Sequence, residues 1–241
     1  MGSLSVVGYN NSGIVTLEEL AYKGNYVLFD TSAIISPLGK GMSHIDDKII
    51  KEKADFKEEN NNFLDKMTKY IISNGNFFAT SYVLEEIIKI KHYNYKKKIR
   101  KEGSCRNHEL LRLRRLIKME EYSKKRIVNS FIDNNKVILI EHVNKNIYDN
   151  LIKKYHKFID EYNLNHTDFD FLLTGMTLVA ASNSVIFVSN DYKIFHARNR
   201  ILKREKIEEQ NAQFFTRIDF LKFQQLFYYK NHKIEQLSGS S

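Results

Sequence analysis

The chain has 241 residues, of which 42% are apolar, and a formal net charge of +9. This length suits one enlarged domain with a real core, or at most two small ones. The single cysteine, Cys105, excludes a disulfide framework, and no apolar run is long enough to span a membrane. The start of the chain lacks the pattern of a signal peptide, so we expect a cytoplasmic protein with no membrane partner. The positive charge favours an acidic partner, most often nucleic acid, and solubility alone is the alternative explanation.

Short apolar runs alternate with helical patterns along the chain. The runs that predict strands lie at 27–30, 75–81, 136–143, 184–191 and 213–216. Continuous apolar strands separated by helices are typical of a parallel sheet that is covered on both faces. The sequence therefore predicts an α/β fold, a three-layer α/β/α sandwich around a mainly parallel sheet of about five strands.

The predicted domain runs from about residue 25 to 229. Before it lies an N-terminal extension, 1–24, and after it a C-terminal tail, 230–241. Two segments exceed what such a fold needs. Residues 37–62 are polar with mixed charge, and residues 89–130 form a long basic helical pattern with a break at 102–105. We treat both as insertions.

Two aspartates follow predicted strands. Asp30 ends the first strand in "VLFDTSAII", and Asp191 follows the fourth in "VIFVSND". Ligands of open parallel sheets bind at the carboxyl ends of the strands, so both aspartates should face the same edge. A carboxylate directly after a buried strand is costly unless it is paired or binds a metal. For Asp191 a role as a simple turn residue is the alternative.

Three further acids lie on predicted helices near that edge. On the helix over 81–90, Glu86 lies at the border of the apolar stripe, close to the helix start. Asp168 lies at the border of the stripe of the helix that begins near 165, and Asp170 lies farther round. Glu86 could instead be a surface charge. Asp168 and Asp170 could instead complement the helix dipole, with Thr167 as N-cap.

The order of these motifs resembles the PIN domain family. The family pattern begins with a strand that ends in Asp, with Ser or Thr two residues on, and continues with a Glu in the helix after the second strand. An Asp then opens a helix with a small residue seven places later, and a last strand runs into Thr/Ser-x-Asp. The matching residues here are Asp30 with Ser32, Glu86, Asp168 with Gly175, and Ser189 with Asp191. The resemblance covers about 25–228 without the two insertions. The third motif offers two aspartates, which leaves its ligand open between Asp168 and Asp170.

The resemblance implies a metal-dependent nuclease that acts on RNA. Clustered carboxylates stay ionised together only when cations neutralise them, and a ligand set of oxygens alone selects Mg²⁺ or Mn²⁺. We expect two metals to activate a water and to stabilise the leaving oxygen of a phosphodiester. The hypothesis assigns catalysis to Asp30, Glu86, Asp168 and Asp191, with Asp30, Asp168 and Asp191 on one metal and Glu86 and Asp170 at a second position.

Ser32 and Ser189 have two possible roles beside this site. They could orient the carboxylates through hydrogen bonds, or they could hold their own loops through local backbone bonds. The sequence alone does not decide between these roles.

Basic segments predict contacts with phosphates. The candidate nucleic-acid-binding residues are Lys96, Lys97, Lys98, Arg100, Arg112, Arg115, Arg198 and Arg200. Lysine and arginine neutralise phosphates, and the tyrosines interleaved among the first of them can stack on unpaired bases. A solvated helix face is the alternative explanation of this pattern.

Two other functions compete with a ribonuclease. One is a PIN-like module that binds RNA or protein without cleavage, although such modules usually lose acids that this chain keeps. The other is a structure-specific DNA nuclease, in which the basic helices at 89–130 would form an arch. Expected partners are RNA, an antitoxin or RNA-processing complex, and a second copy of the chain.

Overall fold

The computed structural model describes residues 26–35, 47–73, 75–89 and 108–215, together with Ala21. The strands are β1 (Tyr26–Phe29), β2 (Phe77–Thr80), β3 (Val137–Ile138), β4 (Val185–Val188) and β5 (Ala212–Phe215). The helices are α1 (Thr31–Ile34), α2 (Asp47–Ile72), α3 (Ser81–Lys89), α4 (His108–Asp133), α5 (Lys145–Tyr155), α6 (Phe158–Glu161), α7 (His166–Ala180) and α8 (Tyr192–Glu205). The α/β fold is confirmed, and its largely helical content around one sheet is compatible with three layers.

The five strands form one all-parallel sheet in the order β3-β2-β1-β4-β5. The central strands read as unbroken apolar runs because both of their faces are covered, and all four residues of β4 are buried. The third strand was predicted to reach residue 143, which is wrong. Only Val137–Ile138 joins the sheet, and the chain then turns into a short 3₁₀ helix, Ile140–His142, at the sheet edge.

The strand order reverses between β1 and β4. The chain moves outward from β1 to β2 and β3, returns to place β4 on the other side of β1, and ends at β5. Ligands of open parallel sheets bind at such a reversal, outside the carboxyl ends of the strands. Phe29 pairs with Val188 across the reversal, so Asp30 and Ser189, one residue later on each strand, lie side by side. The Asp30 amide donates to the Val188 carbonyl at 2.9 Å.

Helix α7 packs directly on the sheet through Gly175. A Cβ atom at this position would overlap the ring of Phe187 on β4 and would lie 3.1 Å from Leu28 Cδ1 on β1. The absence of a side chain at Gly175 therefore allows α7 to approach the sheet closely. It fixes the distance between α7, which carries Asp168, and the two strands that carry Asp30 and Asp191.

The described parts of the two predicted insertions, 47–62 and 108–130, lie on two helices that pack together, whereas 37–46 lie outside the described residues. Helices α2 and α4 are 26 residues each and pack against one another; we call them the α2–α4 pair. Helix α2 begins inside the first predicted insertion and continues to Ile72, which faces solvent, while α4 begins inside the second. Buried Leu113, Leu116 and Ile117 supply the apolar contact.

Several predictions fall outside the described residues. These are the extension at 1–24 apart from Ala21, the basic stretch at 90–107, and the helix and tail after residue 215. Within the ranges that the structure does describe, no helix is both long and apolar enough to cross a bilayer.

Candidate active site

Asp30 lies at the centre of the carboxyl edge. It is the N-cap of α1, and its side chain is 2% exposed. Its Oδ2 accepts hydrogen bonds from Ser32 Oγ at 2.6 Å, Ser189 Oγ at 2.8 Å and the Ser32 amide at 3.2 Å. These three donors fix the plane of the carboxylate, so its second oxygen has a defined direction.

The second oxygen of Asp30 has no partner. Its Oδ1 atom is buried and makes no hydrogen bond, and within the described residues Asp30 forms no ion pair. Burial raises the pKa of Asp30, and the serine hydrogen bonds oppose that rise only in part. A buried carboxylate oxygen without a donor is costly, which points to a group that is held there from outside the chain.

Ser32 and Ser189 both hydrogen-bond to Asp30, and Ser189 also makes a local backbone bond within its own loop. Each donates its hydroxyl to Asp30 Oδ2. Ser32 Oγ also accepts from the Asn190 amide at 2.9 Å, and Ser189 Oγ accepts from the Asp191 amide at 3.0 Å. The serines therefore join the loop after β1 to the loop after β4 and orient Asp30 through the same atoms.

Asp168 lies in the first turn of α7 and shares the field of the other acids. Its Oδ2 accepts from the Asn165 amide at 3.1 Å, and its own amide donates to Asn165 Oδ1 at 2.7 Å, which forms a capping box. The N-cap is thus Asn165 and not Thr167. Burial, then the charge of Asp30, then the charges of Asp191 and Glu86 raise the pKa of Asp168 to about 7. These four acids therefore share one electrostatic environment.

Glu86 and Asp191 complete this environment from two other helices. Glu86 lies on α3, and its Oε2 accepts from Thr31 Oγ1 at 2.7 Å, next to Asp30. Asp191 is the N-cap of α8, and its Oδ1 accepts from the Lys193 amide at 2.8 Å. Each of these carboxylates uses one oxygen in its protein contact. The sequence did not single out Thr31, although its place in the "DTS" of the first motif could have indicated it.

Asp170 belongs to a separate buried network. It is 5% exposed, and its Oδ1 accepts from the Tyr148 hydroxyl at 2.8 Å. Burial raises the pKa of Asp170, the hydroxyls of Tyr148 and Thr80 oppose that rise, and the charge of Asp170 is not among the main causes of the raised pKa of Asp168. Thr80 caps α3 by accepting from the Val83 amide at 3.4 Å. The structure thus places Asp170 at the base of α3, apart from the four acids.

The donor set fits a hard divalent cation. Four carboxylates lie around one edge, none of them paired with a Lys or Arg in the described ranges, and one carries a buried oxygen without a donor. Mg²⁺ and Mn²⁺ prefer such oxygen ligands. In their present rotamers, however, no three His, Cys, Asp or Glu side chains of the described residues lie close enough together to hold an ion. The charges of these acids act on Asp168, while hydrogen bonds from protein donors hold the side chains apart.

Arg198 does not bind nucleic acid, which corrects the prediction. Its side chain is 0% exposed, and its Nε donates to the Ala212 carbonyl at 2.6 Å while Nη1 donates to Asn199 Oδ1 at 2.6 Å. A guanidinium with no exposed surface cannot reach a phosphate. Arg198 instead fastens the start of β5 to α8.

The other predicted basic residues differ in their surroundings. Arg112 forms ion pairs with Asp55, at 2.8 Å, and with Glu58 across the α2–α4 pair. Arg115 and Arg200 are exposed on α4 and α8. The remaining candidates, Lys96, Lys97, Lys98 and Arg100, lie outside the described residues.

Comparison with known proteins gives no match: neither a protein-family model, nor a curated protein, nor a solved structure is similar to this chain. The function of the protein is therefore inferred from the residues of the carboxyl edge.

Proposed function

We propose that the protein is a divalent-metal-dependent ribonuclease of PIN-like fold, with its active site at the carboxyl edge between β1 and β4. The observation that carries the proposal is the buried Asp30, whose Oδ1 lacks a donor while the nearest charges are also negative. A cation from outside the chain is the simplest group that would offset both features.

The residues would hold the metal as follows. Asp30, Asp168 and Asp191 would bind one ion, and Glu86 would serve a second position. Bound Mg²⁺ or Mn²⁺ would neutralise these acids and supply an activated water for attack on a phosphodiester. Glu86, Asp168 and Asp191 each keep one oxygen outside their protein hydrogen bonds. That oxygen is the one available to a cation.

The chain's own donors prepare this site before any ion binds. Ser32 and Ser189 fix Asp30, Thr31 fixes Glu86, and the capping box fixes Asp168. Each contact limits the rotamers of a ligand and lowers the entropy lost on binding. Asp170 would contribute indirectly, because its bond with the Tyr148 hydroxyl fixes the first turns of α7, which also carry Asp168.

RNA is proposed as the substrate on two grounds. The motifs resemble a family whose members mostly cleave RNA, and the net charge of +9 favours a polyanion. The exposed cations Arg115 and Arg200 are available for phosphates. Both would add affinity that declines as salt concentration increases.

Cleavage assays with Mn²⁺ test the proposal. Single-stranded RNA, structured RNA and flap DNA would each be incubated with the wild type, with Asp30→Asn, and with Asp160→Asn as the matched control on an exposed acid of α6. We expect RNA cleavage by the wild type and the control, loss of cleavage in EDTA, and no cleavage by Asp30→Asn despite an unchanged circular dichroism spectrum. Equal cleavage by Asp30→Asn would contradict the site, and preferred cleavage of flap DNA would contradict the substrate.

A module that binds RNA without cleavage is the second candidate. The observation in its favour is that the described acids are not gathered into a ready set of three ligands. In that case the wild type would bind RNA equally well in EDTA and in Mn²⁺, and no RNA would be cleaved under either condition.

A further inference from the structure

Strongly exposed aromatic side chains are rare in the described part of the chain. Only three are present, Tyr82 at 44%, Tyr122 at 70% and Tyr192 at 71% exposure, and every exposed one is a tyrosine. Single exposed tyrosines are common, but each presents a flat apolar ring face that can stack on a base when it lies beside a site for nucleic acid. Two of the three tyrosines lie beside the acids.

Tyr82 and Tyr192 lie on opposite sides of Asp30. Tyr192 directly follows Asp191 and opens α8, which begins after β4. Tyr82 lies in the first turn of α3, which begins after β2, four residues before Glu86 and thus on the same helix face. Because β2 and β4 are the two neighbours of β1, these tyrosines flank the end of the strand that carries Asp30.

Helix α8 continues from Tyr192 as an exposed basic stripe. Tyr192, His196 and Arg200 are exposed and spaced by four residues, so they share one face with a rise of about 6 Å per step. Lys193 and Lys203 are exposed beside them. The first acid of the helix is Glu205, at its far end. The inward face is formed by Ile194, Ala197, Arg198 and Ile201.

We propose that Tyr82 and Tyr192 stack on unpaired bases on either side of the reacting phosphate, and that the exposed face of α8 guides the adjoining backbone. The proposal rests on the proposed function and adds the side chains that would hold an unpaired RNA strand at that site. In a duplex the base faces are already covered by neighbouring base pairs, whereas an unpaired strand offers them to aromatic side chains. Two platforms that flank one acid site therefore favour a single strand over a duplex.

Binding experiments in EDTA test this inference separately from cleavage. Fluorescence anisotropy would measure the affinity of a labelled single-stranded RNA and of a duplex RNA of the same sequence for the wild type, Tyr82→Ala, Tyr192→Ala and the two Tyr→Phe variants. Tyr122→Ala is the matched control, since Tyr122 is as exposed as Tyr192 but lies on α4. A 2-aminopurine base in the single strand would report stacking through fluorescence quenching.

The expected result is tighter binding of the single strand than of the duplex. Each alanine variant should weaken single-strand binding by at least about fivefold and relieve the quenching, while the phenylalanine variants and Tyr122→Ala should bind like the wild type. Stronger duplex binding, absent single-strand binding, or an unchanged affinity of both alanine variants would overturn the inference. If RNA is cleaved in Mn²⁺ but both alanine variants bind like the wild type, the stacking inference fails and the nuclease proposal stands. If the expected binding is seen without any cleavage, only the nuclease proposal fails.

Discussion

The α2–α4 pair and the carboxyl edge of the sheet both bury charged side chains, but only the first supplies a counter-charge. In the α2–α4 pair, Lys57 and Glu120 are 0% exposed and form an ion pair. At the carboxyl edge, Asp30 is bonded to two serine hydroxyls, retains an oxygen without a donor and lies near three more acids. Buried charge is tolerated only when it is compensated. In the first region the two buried charges of Lys57 and Glu120 therefore offset each other within the chain. At the carboxyl edge no such partner is present among the described residues, and the proposed cation would take that place.

The largest expected effect lies in the α2–α4 pair. Glu120→Ala would remove the carboxylate that pairs with the buried Lys57, and we expect a loss of about 3–5 kcal/mol in the free energy of unfolding. Urea denaturation measures this loss. Replacing both partners, Lys57→Met with Glu120→Leu, should restore part of the stability, because two apolar side chains of similar volume need no counter-charge. The restoration is incomplete because buried Lys124 still loses the nearby charge of Glu120.

A loss of less than about 1 kcal/mol in Glu120→Ala would contradict the view that the buried Lys57 depends on Glu120. It would mean that Lys57 finds water or another acid when Glu120 is removed, and that burial in the α2–α4 pair does not demand a partner. The double variant separates this outcome from simple loss of packing volume, since it keeps the volume and removes only the charges.

Arg198 and Arg200 provide a matched pair two positions apart on α8. Arg198→Ala should lower the free energy of unfolding by about 2–3 kcal/mol, because the Ala212 carbonyl loses a charged donor. Arg200→Ala should leave stability within about 0.5 kcal/mol of the wild type, because its side chain is exposed. RNA affinity should change only in Arg200→Ala. Denaturation curves and filter binding of both variants check this, and a reversed pattern would restore Arg198 as a phosphate ligand.

Asp168 gives a pH-dependent prediction for the metal-free protein. Its pKa is about 7 in the folded chain and 3.8 in the unfolded reference, so between these values the native state keeps a proton that the unfolded state has released. Its stabilising contribution is complete below about pH 4 and is lost as the pH rises through 7. The melting temperature in EDTA should therefore fall from pH 5 to pH 8, and Asp168→Asn should reduce that fall. The asparagine oxygen of this variant can still accept from the Asn165 amide, so the capping box is kept and only the titrating carboxyl group is removed.

The sheet was predictable because its strands are short, apolar and separated by helical patterns. The strand order was not, since periodicity gives the type of an element and not its neighbours. The third strand was predicted too long because "KVILIEHV" is apolar throughout, and only its first part finds a partner at the sheet edge. The α2–α4 pair was predicted as two insertions because its contacts connect residues that are far apart in the sequence.

The candidate site was predictable where a residue's position in its element decided its surroundings. Asp30 follows a buried strand, and the structure places it at the predicted edge. Asp170 was ambiguous because its partner, Tyr148, lies on another helix. Arg198 was assigned because it lies in a basic segment that directly follows the last acidic motif. Its spacing from Ile194 and Ile201 places it on the apolar face of α8, a signal that could have identified its burial.

Melting temperatures of the wild type and of Asp30→Asn, measured with and without Mn²⁺, show whether Asp30 needs an external cation. In EDTA the variant should melt above the wild type, because a neutral amide replaces a buried carboxylate without a counter-charge. Mn²⁺ at about 100 times its dissociation constant should stabilise the wild type by about 2.7 kcal/mol, a rise of about 5–10 °C, and leave the variant unchanged. If the wild type instead melts above Asp30→Asn in EDTA and gains no more from Mn²⁺ than the variant does, Asp30 does not bind a cation.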